Sequence, residues 1–154
     1  MVTPSDTIGG PAAGARRGPG PVASPAMALA TSDIVEITQL YAAYNLAVDD
    51  GDGEAFSACF VADGALVPGG DPIAGHAALA EFARSVPTGL PGIRHISSNV
   101  HVGGDGDEAT GRCYLMVVIA GAQPQVLMTG RYRDALRRVD GGWRFVRRDF
   151  DPDR

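Results

Sequence analysis

The stretch "RHISSNVHV" (94–102) puts His95, Ser97, Asn99 and His101 on odd positions and Ile96, Val100 and Val102 on even ones. In a β-strand this alternation gathers two imidazoles, a hydroxyl and an amide on one face and packing residues on the other. Such a row can line a site for proton transfer, because an imidazole gains and loses its proton near neutral pH. A second group with chemical potential is the acid cluster Asp49, Asp50 and Asp52, at the end of a helical pattern. A helix C-terminus carries partial negative charge, so an inward-facing acid there needs a donor or a cation. Asp50 and Asp52 read as solvated loop acids, or Asp52 as the cap of the next helix. Asp49 differs: it follows Val48, lies one turn after Asn45 beside the buried stripe, and would pair well with a protonatable histidine. Tyr44, on the apolar face of the same helix, reads as packing with a phenol equally able to donate to a substrate carbonyl. Five residues at ~100° each leave Tyr44 and Asp49 roughly 140° apart around the helix, so they meet only at the mouth of a concave pocket.

Other chemistries are disfavoured by what the chain lacks. All 13 basic residues are arginine, which excludes Schiff-base and P-loop lysine chemistry. His95 and His101 lie roughly 20 Å apart along a strand, and no His-x-His, Cys-x-x-Cys or His-Glu-x-x-His motif is present, so no metal or other cofactor is expected. Ser97 and Ser98 lack a nucleophile-elbow turn. A net charge of −5 gives no electrostatic reason for nucleic acid or an anionic membrane surface, and no apolar run reaches membrane-spanning length. Cys59 and Cys113, among apolar neighbours, are expected as buried free thiols in a reducing cytoplasm.

These residues need elements to position them. The length of 154 residues suggests one domain. Residues 1–30, rich in Gly, Pro and Ala, are expected to be a disordered tail. Arg16-Arg17 imitates a twin-arginine signal, but prolines and glycines replace the apolar region such a signal needs. Met27 is expected to be the natural start, and deletion of residues 1–26 to leave folding and activity unchanged. The folded domain is placed at 31–151. Order begins at Asp33, with Asp33 and Glu36 at capping-box spacing. Ile34, Ile37, Leu40, Tyr41, Tyr44 and Val48 then form the buried face of a long helix that Gly51 stops. A short helix capped by Asp52 carries Phe56 and Phe60 one turn apart; "ADGAL" turns into a short strand. A third helix starts near His76 and carries Leu79, Phe82 and Val86. Residues 94–103, 108–121, 125–139 and 143–150 read as four strands, with a hairpin turn at Asp140-Gly141-Gly142. Helices followed by antiparallel strands imply α+β, with helices packed on one face of a curved sheet.

The blocks "YNLAVDDGDGEAFSACFVADG", "IAGHAALAEFA", "RHISSN" and "GRYRDALRRVDGGWRFVRRDF" resemble, in their order, the SnoaL-like branch of the NTF2-like superfamily, over about residues 32–150. The resemblance implies a cone: a strongly bent antiparallel sheet around the long first helix, an apolar pocket between sheet and helices, and a homodimer formed through the sheet. Scytalone dehydratase and the bile-acid dehydratases look closest around the polar positions. Tyr44, Asp49 and His95 match the bile-acid enzymes' Tyr, Asp and His in type and order. By that resemblance His95 is the general acid/base, Asp49 orients and charge-stabilises it, and Tyr44 polarises a substrate carbonyl or leaving group. Strand parity adds Phe60, Met116 and Met128 as apolar pocket groups, with Asn99 and Tyr132 as polar orienters; a one-residue bulge would swap the face. The limonene-epoxide-hydrolase pattern would instead need an Asp-Arg-Asp cluster, for which Arg94, Arg131 and Asp134 are present. The implied activity is a cofactor-independent lyase or isomerase (dehydratase, double-bond isomerase or cyclase) acting on a small hydrophobic cyclic carbonyl compound of polyketide, steroid or terpenoid kind. The competing reading is a ligand-binding or assembly module on the same fold, similar to a dioxygenase β subunit.

Overall fold

The structure is a computed structural model and describes residues 28–154. The expected tail therefore falls outside the described residues up to position 27, as does the proposed start at Met27. Ala28 pairs with Asp105, so regular contacts begin earlier than Asp33.

Helix α1 spans Thr31–Asp50 and buries Ile37, Leu40, Tyr41, Tyr44 and Val48 at three- and four-residue spacing. Ile34, expected on that face, is 42% exposed; in this first turn it is Asp33 that meets the sheet, accepting from Arg138 and Trp143. Asp33 is not the cap itself: it sits inside the first turn, and its carboxylate accepts from the Ala30 N–H at 3.0 Å. Glu36 accepts from the Trp143 N–H, tying the helix to the sheet. Gly51 ends the helix in the left-handed region, φ 70°, where a side chain would be strained.

Asp52 caps α2 (Gly53–Ala58) through the Ala55 N–H at 2.9 Å. Phe56 lies in this helix, but Phe60 already opens strand β1 (Phe60–Val67). Strand β2 (Ile73–Ala74) and helix α3 (His76–Gly89) follow. The long strands are β3 (Ile93–Asp105), β4 (Glu108–Ile119), β5 (Gln125–Val139) and β6 (Gly142–Pro152), each matching its expected position closely. They form one six-stranded sheet in the order β2-β1-β6-β5-β4-β3. All neighbours are antiparallel except β1 and β6, which run parallel. The sheet curves over α1 and α3, and the core fills the concave side with Trp143, Phe145, Leu136, Phe56 and Phe60 against the helices.

Candidate functional site

Strand β3 changes register in its middle. Asn99 takes φ 54°, and the pairing with β4 slips between Ser98 and His101. Before this bulge the odd residues Ile93, His95 and Ser97 face inward and Ile96 lies outside, 45% exposed; after it Val100 and Val102 turn in and His101 turns out. The even face is therefore not one packing face, and the odd residues are not one polar row. Each half of the strand has its own parity.

His95 meets the end of α1 on the concave side. Asp49, buried at the helix C-terminus, accepts from His95 Nδ1 at 2.6 Å and from the His95 backbone N–H at 3.0 and 3.1 Å. Those donors compensate an acid placed at the negative end of a helix dipole. A carboxylate only accepts, so Nδ1 carries the hydrogen and, in the neutral ring, Nε2 keeps the lone pair. One turn back, Asn45 Nδ2 donates to Ser97 Oγ at 3.0 Å. Another turn back, Tyr41 donates to Asp134 on β5. Tyr41, Asn45 and Asp49, four residues apart, thus form a polar seam down α1. Gly111 makes room for its upper end, since a Cβ there would collide with the Tyr41 hydroxyl.

A cavity of about 240 Å³ opens beside the seam. His95, Tyr44 and Tyr132 supply its polar atoms; Leu66, Phe82, Val86, Ile93, Leu115, Val117 and Phe150 supply apolar wall, and Pro68, Leu90, Leu127 and Met128 lie at the rim. Among the described residues no carboxylate or guanidinium lines it. The Tyr44 and Tyr132 hydroxyls lie 3.4 Å apart, longer than a strong O–H···O bond, so each can turn to a ligand oxygen. Burial raises both phenols above their ordinary value, which keeps them protonated and able to donate.

Of the residues expected in the pocket, Tyr44, His95, Met128 and Tyr132 line it, and Asp49 stands directly behind His95. Three lie elsewhere. Phe60 is fully inside the core against Tyr44, Phe56 and Phe145. Met116 is 39% exposed on the convex face, because β4 turns Cys113, Leu115 and Val117 inward. Asn99 is carried by its bulge to a groove on the convex face beside His101 and Arg112. The Asp-Arg-Asp alternative is not assembled from its expected members. Arg94 and Arg131 are exposed, Arg131 over the Tyr114 ring, and Asp134 is buried in an ion pair with Arg148. His76 opens α3 and bonds the Phe60 carbonyl at 3.0 Å, far in role from any metal site.

Sequence reasoning missed Arg148. It is fully buried, and its Nε and Nη2 donate to Asp134 at 2.9 and 3.2 Å. The inward positions Trp143 and Phe145 predict Arg147 as the next one; a register shift in the β5–β6 pairing turns Arg148 in instead. Burial raises the Asp134 carboxyl, while Arg148 and Tyr41 pull it down. A guanidinium that stays charged keeps that carboxylate as its counter-ion.

Cys59 and Cys113 are both buried and free, and burial pushes the Cys59 thiol up to about 11. Among the described residues no helix is long and apolar enough to cross a membrane.

Comparison with known proteins agrees with this architecture. An uncharacterized protein of Mycobacterium tuberculosis, Rv2910c, is 33% identical over 127 residues, covering 76% of this chain and 83% of its own. The solved structure of a variant of Rv3472, a protein of unknown function from the same organism, is 36% identical with a TM-score of 0.75, over 80% of this chain and 73% of its own. An NTF2-like protein with a cystatin-like fold from Novosphingobium aromaticivorans is 31% identical with a TM-score of 0.70, over 77% and 80% of the two chains. The family model of the SnoaL-like domain matches residues 30–149. This chain, with its curved sheet closed over a long first helix, belongs to the SnoaL-like family.

Proposed function

We propose that this protein is a cofactor-independent acid/base lyase or isomerase acting on a small hydrophobic cyclic carbonyl compound of polyketide, steroid or terpenoid kind. The observation that carries the reading is the 2.6 Å contact between Asp49 and His95 on the wall of a cavity whose other polar groups are two phenols. In the proposed step, the substrate carbonyl oxygen accepts from Tyr44 and Tyr132. His95 Nε2 removes a proton from the carbon next to that carbonyl, and the released electron pair moves onto the oxygen to give an enolate. Asp49 holds the ring in the right tautomer and offsets the charge of the imidazolium. The proton then leaves His95 by one of two routes. Delivered to a β-hydroxyl, it expels water as the carbonyl reforms; delivered to a more distant carbon, it completes a double-bond shift. A wall built of apolar side chains, two phenols and one imidazole supports a neutral substrate.

The test is a panel of cyclic β-hydroxy ketones and unconjugated enones, followed by the absorbance of the conjugated product. Turnover by the wild type that falls about 10²–10⁴-fold in His95→Ala, with Tm nearly unchanged, supports the reading. Ligand-induced stabilisation without turnover across the panel supports the ligand-binding module instead.

The convex sheet face exposes Ile96, Tyr114, Met116 and Val126, which supports a homodimer formed through the sheet. Two free buried thiols support a reducing, cytoplasmic setting.

A further inference from the structure

Arg148 has no role in the step just described, yet it sits directly behind it. Its guanidinium carbon lies 3.9 Å from the ring centre of Tyr132, 4.3 Å from Tyr44, 4.4 Å from Phe145 and 4.6 Å from Tyr41. One edge of the guanidinium fork is taken by Asp134, and Nη2 also reaches Cys113 Sγ at 3.8 Å. The remaining nitrogen, Nη1, is buried without a hydrogen-bond partner. A buried ion pair of this kind is an expensive way to fill space, because well-packed apolar side chains of similar volume do it as well or better. What an apolar pair cannot supply is a fixed positive charge against the two rings whose hydroxyls line the cavity. A cation against a phenol ring draws electron density from it and strengthens its O–H as a donor.

We infer that Arg148 is a positioning residue of an oxyanion subsite: held by Asp134, it sets Tyr44 and Tyr132 to receive an enolate- or phenolate-type oxygen. The inference rests on the acid/base reading of the cavity and names the charged species for which one end is built. The titratable groups facing Arg148 are Asp134, Tyr41, Tyr44, Tyr132 and Cys113. Asp134 takes the Nε and Nη2 edge of the fork together with the Tyr41 hydroxyl, while the rings of Tyr132 and Tyr44 lie against the guanidinium itself. The ligand class follows: planar, otherwise neutral compounds with one oxygen that carries, or gains, negative charge. A single aromatic ring fits, since a cavity of about 150 Å³ already holds benzene.

The probe is 4-nitrophenol, yellow only as its anion, titrated across pH with the His95→Gln protein so that no imidazolium can act as counter-ion. The expected result is anion binding preferred by about tenfold or more, read as an apparent nitrophenol pKa about one unit below its value in buffer. Arg148→Met combined with Asp134→Leu should abolish that preference, and Tyr44→Phe with Tyr132→Phe should abolish it too. Arg148→Lys, which keeps the charge, should retain part of it. A purely structural Arg148 would move Tm but not the colour of the bound ligand. Nitrophenol that binds as the neutral acid, fails to bind, or keeps its anion preference in the Arg148→Met/Asp134→Leu protein overturns the inference. Should that double variant not fold, Arg148→Lys in the His95→Gln protein decides: a reduced anion preference supports the inference, and an unchanged one overturns it. The outcomes separate from those of the catalytic reading: turnover without anion preference sinks only the role of Arg148, and anion preference without turnover sinks only the catalysis.

Discussion

Asp49 grips His95 at two points, the imidazole Nδ1 and the backbone N–H, so one carboxylate fixes both a ring and the strand that carries it. The two roles separate by substitution. Asp49→Asn keeps one acceptor oxygen for the backbone but no longer provides the charge that holds the Nδ1–H tautomer. Turnover is expected to fall about 10²–10⁴-fold with little change in Tm, whereas Asp49→Ala should lower both. Equal thermal losses for Asn and Ala would show that the backbone grip does not depend on the acceptor.

The Asp134–Arg148 pair should be costly to break from one side. Asp134→Ala leaves the guanidinium buried without its counter-ion, at an expected cost of about 3–5 kcal/mol by denaturant unfolding. Asp134→Leu with Arg148→Met removes the charges together and should cost less than Asp134→Ala. A double variant less stable than the single one would contradict this account.

Gly111→Ala is expected to destabilise the fold although alanine suits a strand better than glycine. Its Cβ would push the Tyr41 hydroxyl off Asp134. Restoring space with Tyr41→Phe in the same chain should recover part of the loss. Measured Tm values for the two single variants and the pair complete the cycle.

Alkaline pH should find a threshold. Burial raises the phenols of Tyr41, Tyr44 and Tyr132 and the thiols of Cys59 and Cys113, so the folded chain holds these protons more tightly than the unfolded one. For Cys59 the value moves from 9.0 to about 11. The stability these groups contribute is complete below the unfolded values and is lost as pH rises through the folded ones. Tm should hold up to about pH 9 and then fall, with thiol-reagent labelling following the loss of near-ultraviolet circular dichroism. Labelling of both cysteines while that signal persists would mean the burial is not maintained in solution.

The convex face predicts self-association. Ile96→Asp and Met116→Arg, on adjacent strands and paired in register, are expected to shift the protein from dimer to monomer in light scattering. Wild type that is monomeric at all concentrations would remove the proposed interface.

Much of this architecture is legible in the sequence because long strands with turn residues between them, and a helix with a single buried stripe, are local patterns. The four long strands and the Gly51 stop follow from such patterns alone. Facing is a different kind of information. Asn99 moves to the convex side, and Arg148 to the concave side, because the pairing slips by one residue, and a slip is set by the partner strand. Phe60 departs from its expected place for another reason: it lies at a helix-to-strand boundary, where a period of four and a period of two share residues. Asp49 is identifiable as a helix-terminal acid that needs a donor, but the choice of His95 over His76 and His101 follows from the family resemblance, since strand parity puts His95 and His101 on one face. Arg148 carries no such signal among the chain's 13 arginines.

The left-handed residue at Asn99 divides β3 into two segments that count independently. Changes in the outward residues of the second half, around His101, can alter surface charge without rotating His95 from its wall. Deleting Asn99 itself would remove the extra residue and leave a regular alternation in which both halves keep their faces, whereas a deletion elsewhere in one half would exchange inside for outside along part of that half. The length of each half, counted from the bulge, therefore decides which side chains reach the concave wall, while the outward positions are free of that constraint.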